Sequence, residues 1–263
     1  MQIYTHTLPG GAQLIGYLRD RTVEMPAFNT RPAILILPGG GYAWCSRREA
    51  DPVAMQFLQA GYNVFTLYYT CRSDETVPAL RWQPLIDAAG AILHVRRNAE
   101  QFGTDPAKIA ICGFSAGGHL ALSGAVLDIP GETAQQRPNA VILGYPVVTA
   151  GGFAHRGSFV QLAGSEDAAA QQAFTLEDQV TSDTPPVFVW HTMEDKTVPV
   201  ENTLLLLAAL RRAGVPCEAH LFEKGAHGTS ISTAEVDAAD PHRAHWVALC
   251  LEWLGETFGF KLS

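Results

Sequence analysis

No stretch of this 263-residue chain is apolar for long enough to cross a bilayer. The opening MQIYTHTLPGGAQLIGYL also lacks the basic start, long apolar core and small-residue cleavage site of a secretory leader. A soluble, cytoplasmic protein is the resulting expectation. Positive charge is short as well: 18 Lys and Arg stand against 26 Asp and Glu, a net charge of −8. That balance excludes the basic footprint of a nucleic-acid binder and favours neutral small-molecule partners. The five cysteines, Cys45, Cys71, Cys112, Cys217 and Cys250, include no CxxC pair, so neither a disulfide framework nor a zinc knuckle is indicated. Internal repeats, low-complexity tracts and linkers are missing too, which leaves residues 1–263 to be read as one domain.

What is present is an alternation of short apolar runs and longer amphipathic segments, the pattern of βα units building a parallel sheet covered by helices on both faces. Runs at 33–37 (AILIL), 64–68 (VFTLY), 109–112 (IAIC), 140–143 (AVIL), 187–190 (VFVW) and 218–222 (EAHLF) are expected strands, the first five interior. Helical spacing of apolar residues predicts helices over 52–60, 85–101, 116–127, 201–213 and 242–258, with Gly61 and Gly214 where C-terminal glycine caps belong. Residues 149–183, rich in Gly, Ala and polar side chains, are the least periodic part. They read as an excursion with short helices that could overhang a site, without amounting to a large cap domain.

In KIAICGFSAGGHLAL, residues 108–122, an apolar strand runs into Gly113-Phe114-Ser115-Ala116-Gly117 and then into a helix. Strand, GxSxG elbow and helix in that order present Ser115 on a tight turn at a helix start, where the next backbone amides can stabilise negative charge. After the first apolar run comes Pro38-Gly39-Gly40-Gly41-Tyr42. Successive glycines let the backbone approach a ligand and turn its amides inward, so an amide of Gly40, Gly41 or Tyr42 is expected to join that of Ala116 as an oxyanion hole.

A serine hydroxyl needs an imidazole to take its proton and an acid to hold that imidazole's tautomer. Among nine histidines, His119 lies within the elbow helix, His191 ends a strand, and the His242/His245 pair lacks a third metal ligand. These read as packing, structural and surface residues, and no metal site is expected. His227, in the glycine-flanked loop after the last apolar run, is the expected base, which gives the order serine, acid, histidine along the chain. For the acid, the loop HTMEDKTVP offers Asp195 and Glu194, with Asp167, Asp178 and Asp183 weaker candidates suited to caps and solvent.

PGGGY, GFSAGGHLA, HTMEDKTVP and GAHG, with Asp87 in the helix before the elbow strand, resemble the small α/β-hydrolase esterases related to acetyl xylan esterases and bacterial feruloyl esterases of the BD-FAE type. The likeness runs from about residue 30 to the C-terminus. It implies an eight-stranded, mostly parallel sheet, no cofactor, and hydrolysis of short acyl esters, often acetyl groups on sugars such as acetylated xylo-oligosaccharides. By motif, Ser115 takes the place of the family's nucleophile, His227 of its base and, through the DxxVP spacing, Asp195 of its acid. Pro38 stands where relatives often carry histidine. Arg48 and Glu49 are expected at the rim of the pocket beside Trp44, Arg47 and Trp82, the last three as substrate contacts. Two competing readings remain at this level: a prolyl-oligopeptidase-like peptidase, and a non-catalytic relative that binds ligands or serves as a scaffold.

Overall fold

The computed structural model describes residues 1–74, 76–128 and 134–262. Its strands are β1 (Gln2–Thr7), β2 (Gln13–Leu18), β3 (Arg31–Leu37), β4 (Asn63–Tyr68), β5 (Thr104–Phe114), β6 (Ala140–Gly144), β7 (Val187–Thr192) and β8 (Cys217–Phe222). They form one sheet in the order β1-β2-β4-β3-β5-β6-β7-β8. From β4 to β8 all neighbours are parallel, while β2 runs antiparallel to β4 and β1 to β2. The five apolar runs expected inside the sheet lie inside it, because βα crossovers put helices on both faces and leave those strands no wet side.

No strand is expected before residue 33, yet β1 and β2 form a hairpin there, paired from Gln2↔Leu18 to Thr7↔Gln13. β1 is mostly exposed, and β2 alternates buried with half-exposed residues. Such strands carry no continuous apolar run, so the signal that marks the parallel strands is missing from them.

The helices are α1 (Asp51–Gln59), α2 (Gln83–Arg97), α3 (Ala99–Phe102), α4 (Ala116–Val126), α5 (Arg156–Ala163), α6 (Ala168–Gln172), α7 (Glu201–Ala213), α8 (Pro241–Ala244) and α9 (Trp246–Phe258). Strand alternation divides the core in two. Ile34 and Ile36 of β3 face the apolar sides of α1 and α9, including Phe57, Trp246 and Trp253. Leu35 and Leu37 face α2, α4 and α7 through Ile92, Leu120 and Leu206. Two expected helices are each broken into two. The 85–101 helix is interrupted at Asn98, whose side-chain amide donates to the His94 carbonyl and competes with the regular ladder. The 242–258 helix is interrupted at His245, whose amide reaches back three residues to His242 instead of four. Gly214 ends α7 with φ +72°, as its cap position predicts. Among the described residues no helix is long and apolar enough to cross a membrane.

Parallel strands all end on the same edge of a sheet, and loops leaving that edge meet in one place. The loops after β3, β5, β7 and β8 carry Gly39 to Tyr42, Ser115, Asp195 and His227 respectively.

Candidate active site

Ser115 sits between β5 and α4 with φ +54° and ψ −120°, a conformation that side chains seldom adopt. The flanking glycines are there for contact. A methyl group on Gly113 would stand 2.1 Å from the Gly117 carbonyl oxygen, and one on Gly117 2.1 Å from that of Leu37. Only hydrogen fits at either place, and the elbow is therefore held sharp with its hydroxyl clear of the sheet.

Three side chains from distant loops meet at that hydroxyl. Ser115 Oγ lies 2.8 Å from His227 Nε2, and His227 Nδ1 lies 2.6 Å from Asp195 Oδ2. A carboxylate only accepts, so Nδ1 carries the imidazole proton and Nε2 is left to accept from the serine. The other oxygen of Asp195 accepts from the Thr197 and Val198 amides at 2.9 Å each. Burial works against charge on Asp195, but hydrogen bonds from His191 and His227, the charge on His227 and the Val198 amide outweigh it and hold the carboxyl well below the usual carboxylate range. The rival carboxylate, Glu194, points outward and accepts from the Gly225 amide. Asp167 caps α6 through the Ala169 amide. Asp87 is buried in α2, where it accepts from the Thr70 amide and the Gln83 side chain.

His119, His191, His242 and His245 take the structural or surface places expected of them. His191 is fully buried, bonded to the Thr203 hydroxyl and the Val198 carbonyl, with Nε2 3.3 Å from Asp195 Oδ2. The His242 and His245 rings lie on the exposed surface, 6.3 Å apart. His119 packs inside, between the Phe174 carbonyl and the Tyr42 hydroxyl, each at 2.8 Å. A carbonyl cannot donate, so His119 Nε2 carries the proton and Nδ1 accepts from Tyr42, which ties the glycine loop to the elbow helix.

Burial lowers His119 from the ordinary 6.5 to about 4, against the opposing pull of the Phe174 carbonyl. The unfolded chain therefore takes up a proton that the folded protein refuses. This stabilising contribution is complete above pH 6.5 and is lost as the pH falls towards 4, by about 3 kcal/mol in all. Urea unfolding at pH 7.5 and at pH 4.5 is expected to show a steeper loss for the natural protein than for His119→Gln. Parallel losses in the two proteins would refute the assignment.

A cleft of about 310 Å³ opens over Ser115 and His227. Gly40, Gly41 and the exposed indole of Trp44 form one wall, and Arg48 and Glu49 also line it. Gly40 and Gly41 have φ of +126° and +64°, and Tyr42 follows at +63°. Among the described residues, the amides of Gly40, Gly41, Tyr42 and Ala116 donate to no protein acceptor. Two expected contacts lie elsewhere in the structure. Arg47 is exposed at the start of the tight turn Arg47–Glu49 and is absent from the cleft lining, to which Arg48 and Glu49 contribute. Trp82 packs on Phe174 with ring centroids 4.7 Å apart, beside a separate small cavity.

Segment 149–183 contains α5, α6 and a single turn at Glu177–Gln179, and it contributes His155, Gly157 and Gln161 to the cleft wall. His155 carries no motif, and no local pattern points to it. Tyr145 was equally invisible from sequence, although its ring meets the His227 imidazole edge-on at 4.9 Å.

Comparison with known proteins places the chain among hydrolases. The BD-FAE family profile matches residues 23–139, and the profile of the prolyl oligopeptidase family matches residues 89–260. Endo-1,4-beta-xylanase B of Butyrivibrio fibrisolvens is 38% identical over 235 residues, which cover 84% of this chain and 35% of that protein. An acetylxylan esterase of Xylanibacter ruminicola is 30% identical, over 85% of this chain and 45% of its own length. The chain thus spans between a third and a half of the length of these two relatives. The crystal structure of an acetyl ester-xyloside bifunctional hydrolase from Caldicellulosiruptor lactoaceticus superposes with a TM-score of 0.82 at 34% identity, covering 97% of this chain and 90% of that one. With two family profiles together spanning most of its length and a solved ester hydrolase matched almost end to end, the chain belongs to the α/β-hydrolase esterase family, a family of serine-type carboxylic ester hydrolases.

Proposed function

We propose that this protein hydrolyses short-chain acyl esters, acetyl groups on carbohydrates foremost, by acyl transfer through Ser115. Ser115 Oγ attacks the ester carbonyl carbon as His227 Nε2 takes its proton, and Asp195 holds the imidazolium that results. The tetrahedral oxyanion is stabilised by the Ala116 amide and an amide of the Gly40 to Tyr42 loop. The alcohol leaves with the proton from His227, and water then repeats the sequence on the acyl-enzyme. The observation that carries this reading is the unbroken hydrogen-bonded line from Ser115 Oγ through His227 to Asp195, 2.8 Å and 2.6 Å per link. The free amides beside it supply the second requirement, since a developing negative charge needs donors that no protein group already occupies.

The carbohydrate part of the proposal rests on the cleft and on the relatives. Trp44 offers an exposed aromatic plane at the mouth, and Arg48, His155 and Gln161 offer polar groups to an alcohol bearing many hydroxyls. The names of the relatives carry acetylxylan, xyloside and xylanase chemistry. Acetylated xylo-oligosaccharides, feruloyl esters and p-nitrophenyl esters of rising chain length form the deciding panel. Highest kcat/KM is expected on the acetylated sugar, with rates falling as the acyl chain lengthens. Preference for long acyl chains would defeat the short-acyl proposal.

The match to the prolyl oligopeptidase profile favours one second reading, cleavage of peptide amides by the same three side chains. Aminoacyl p-nitroanilides assayed beside p-nitrophenyl acetate separate the two, and comparable turnover of the amide would give that reading precedence.

A further inference from the structure

The geometry points to Glu49 as a positioning residue for the proposed reaction, a buried carboxylate that clamps the glycine loop, the β6 exit and the histidine loop into one arrangement. This inference rests on the esterase reading above. Glu49 is 3% exposed. Its Oε2 accepts from the Gly39 amide at 2.7 Å, immediately before the proposed oxyanion donors, and its Oε1 accepts from the Tyr145 hydroxyl at 2.6 Å. Tyr145 Oη in turn accepts from the Ser230 amide at 2.9 Å, three residues after His227. The Ser230 hydroxyl closes the ring by donating to the Arg48 carbonyl, next to Glu49 in the chain.

Nothing in the acyl-transfer steps uses this carboxylate, yet burying one is costly unless its partners are well placed. Burial raises the Glu49 carboxyl above its ordinary range, and the Tyr145 and Gly39 hydrogen bonds oppose that rise. With one donor aimed at each oxygen, the ionised form fits the site. Gly39 has no slack. A methyl group there would lie 2.7 Å from Glu49 Oε2 and 3.0 Å from Ser115 Cβ, so the loop is pressed between the clamp and the nucleophile. Tyr145 and Ser230 are held at φ +37° and +48°, unusual for residues with side chains, and both are members of the ring. The clamp therefore sets the distance between the loop amides and Ser115, and it steadies the Tyr145 ring against the His227 imidazole.

Glu49→Gln tests the clamp. An amide presents one acceptor and one donor, so either Gly39 N–H or the Tyr145 hydroxyl proton loses its acceptor, whichever way the side chain turns. Loop displacement of about an ångström costs on the order of a hundredfold in rate. The expected result is a fall in kcat on p-nitrophenyl acetate of about tenfold to a hundredfold, with KM within about twofold. Rates are taken per fluorophosphonate-reactive site, so unfolded protein is not counted. Affinity for an alkylboronic acid, which forms a tetrahedral adduct on serine, is expected to fall in step with kcat, as loss of stability alone would not produce.

Tyr145→Phe keeps the ring and removes the hydroxyl, and it decides the matter if Glu49→Gln fails to fold. A matching kcat loss, with little added in the double variant, is the sign of two residues acting through one chain of bonds. Retention of kcat within threefold in a folded variant, where Ser115→Ala abolishes activity, would overturn the clamp alone. Activity that survives Ser115→Ala would instead overturn the esterase reading, and the clamp with it.

Discussion

Ser115→Ala is expected to lower turnover of p-nitrophenyl acetate by about four to six powers of ten while leaving the fold intact. The size follows from what the hydroxyl does in the proposed reaction. Without Oγ there is no acyl-enzyme, and the free amides and His227 can assist only direct attack by water. The structural cost is small, because among the described residues Ser115 Oγ makes one hydrogen bond, to the partly exposed His227, at 2.8 Å. An unfolding free energy within about 1 kcal/mol of the natural protein is expected. The same variant should lose labelling by a fluorophosphonate. Retained turnover, or retained labelling, would mean that another residue is the nucleophile.

Asp195→Asn is expected to cost about ten-thousandfold in kcat/KM, a larger effect than removing one negative charge would suggest. The reason lies in the partners of the two carboxylate oxygens. Oδ1 faces the Thr197 and Val198 amides, both donors, and so compels an asparagine to place its carbonyl there. Its amino group is then turned towards His227 Nδ1, which must accept instead of donate. That reverses the imidazole tautomer and puts a proton on Nε2, where the serine proton has to go. The His191 N–H, 3.3 Å from Oδ2, adds a second donor facing the new amino group. Steady-state kinetics beside far-UV circular dichroism check both parts, and a loss below a hundredfold in a folded variant would show that Asp195 does not set the tautomer.

Legibility of the fold followed burial. Where a strand is covered on both faces its sequence is a continuous apolar run, and AILIL, VFTLY and VFVW could be placed without any tertiary information. β1 and β2 could not: β1, at the sheet edge, mixes Thr, His and Gln with its apolar residues, and β2 alternates buried with half-exposed ones. Helix boundaries were legible at Gly214, where a left-handed cap is needed. They were illegible at Asn98, where a side-chain amide competes for the His94 carbonyl, and at His245, where the backbone amide bonds three residues back instead of four.

The site divided along similar lines. The Ser115 expectation rests on contiguous sequence, strand, glycine, serine, glycine and helix, and the steric demands at Gly113 and Gly117 enforce that local pattern. His227 was expected from its loop and from chain order, and Asp195 over Glu194 only through the family's DxxVP spacing; in the structure Asp195 accepts hydrogen bonds from the Thr197 and Val198 amides of its own turn. Arg47 and Trp82 lie away from the cleft lining, since composition near a loop does not say which way a side chain is aimed. Sequence by itself therefore determined the parallel α/β architecture, the elbow and the order in which the three polar groups arrive. Only the tertiary structure decided that Glu49 turns inward to join Gly39 with Tyr145, that His155 reaches the cleft from the 149–183 segment, and that His119 anchors Tyr42. Those contacts join residues with no shared motif, and a hydrogen bond between distant segments leaves no periodic trace in either one.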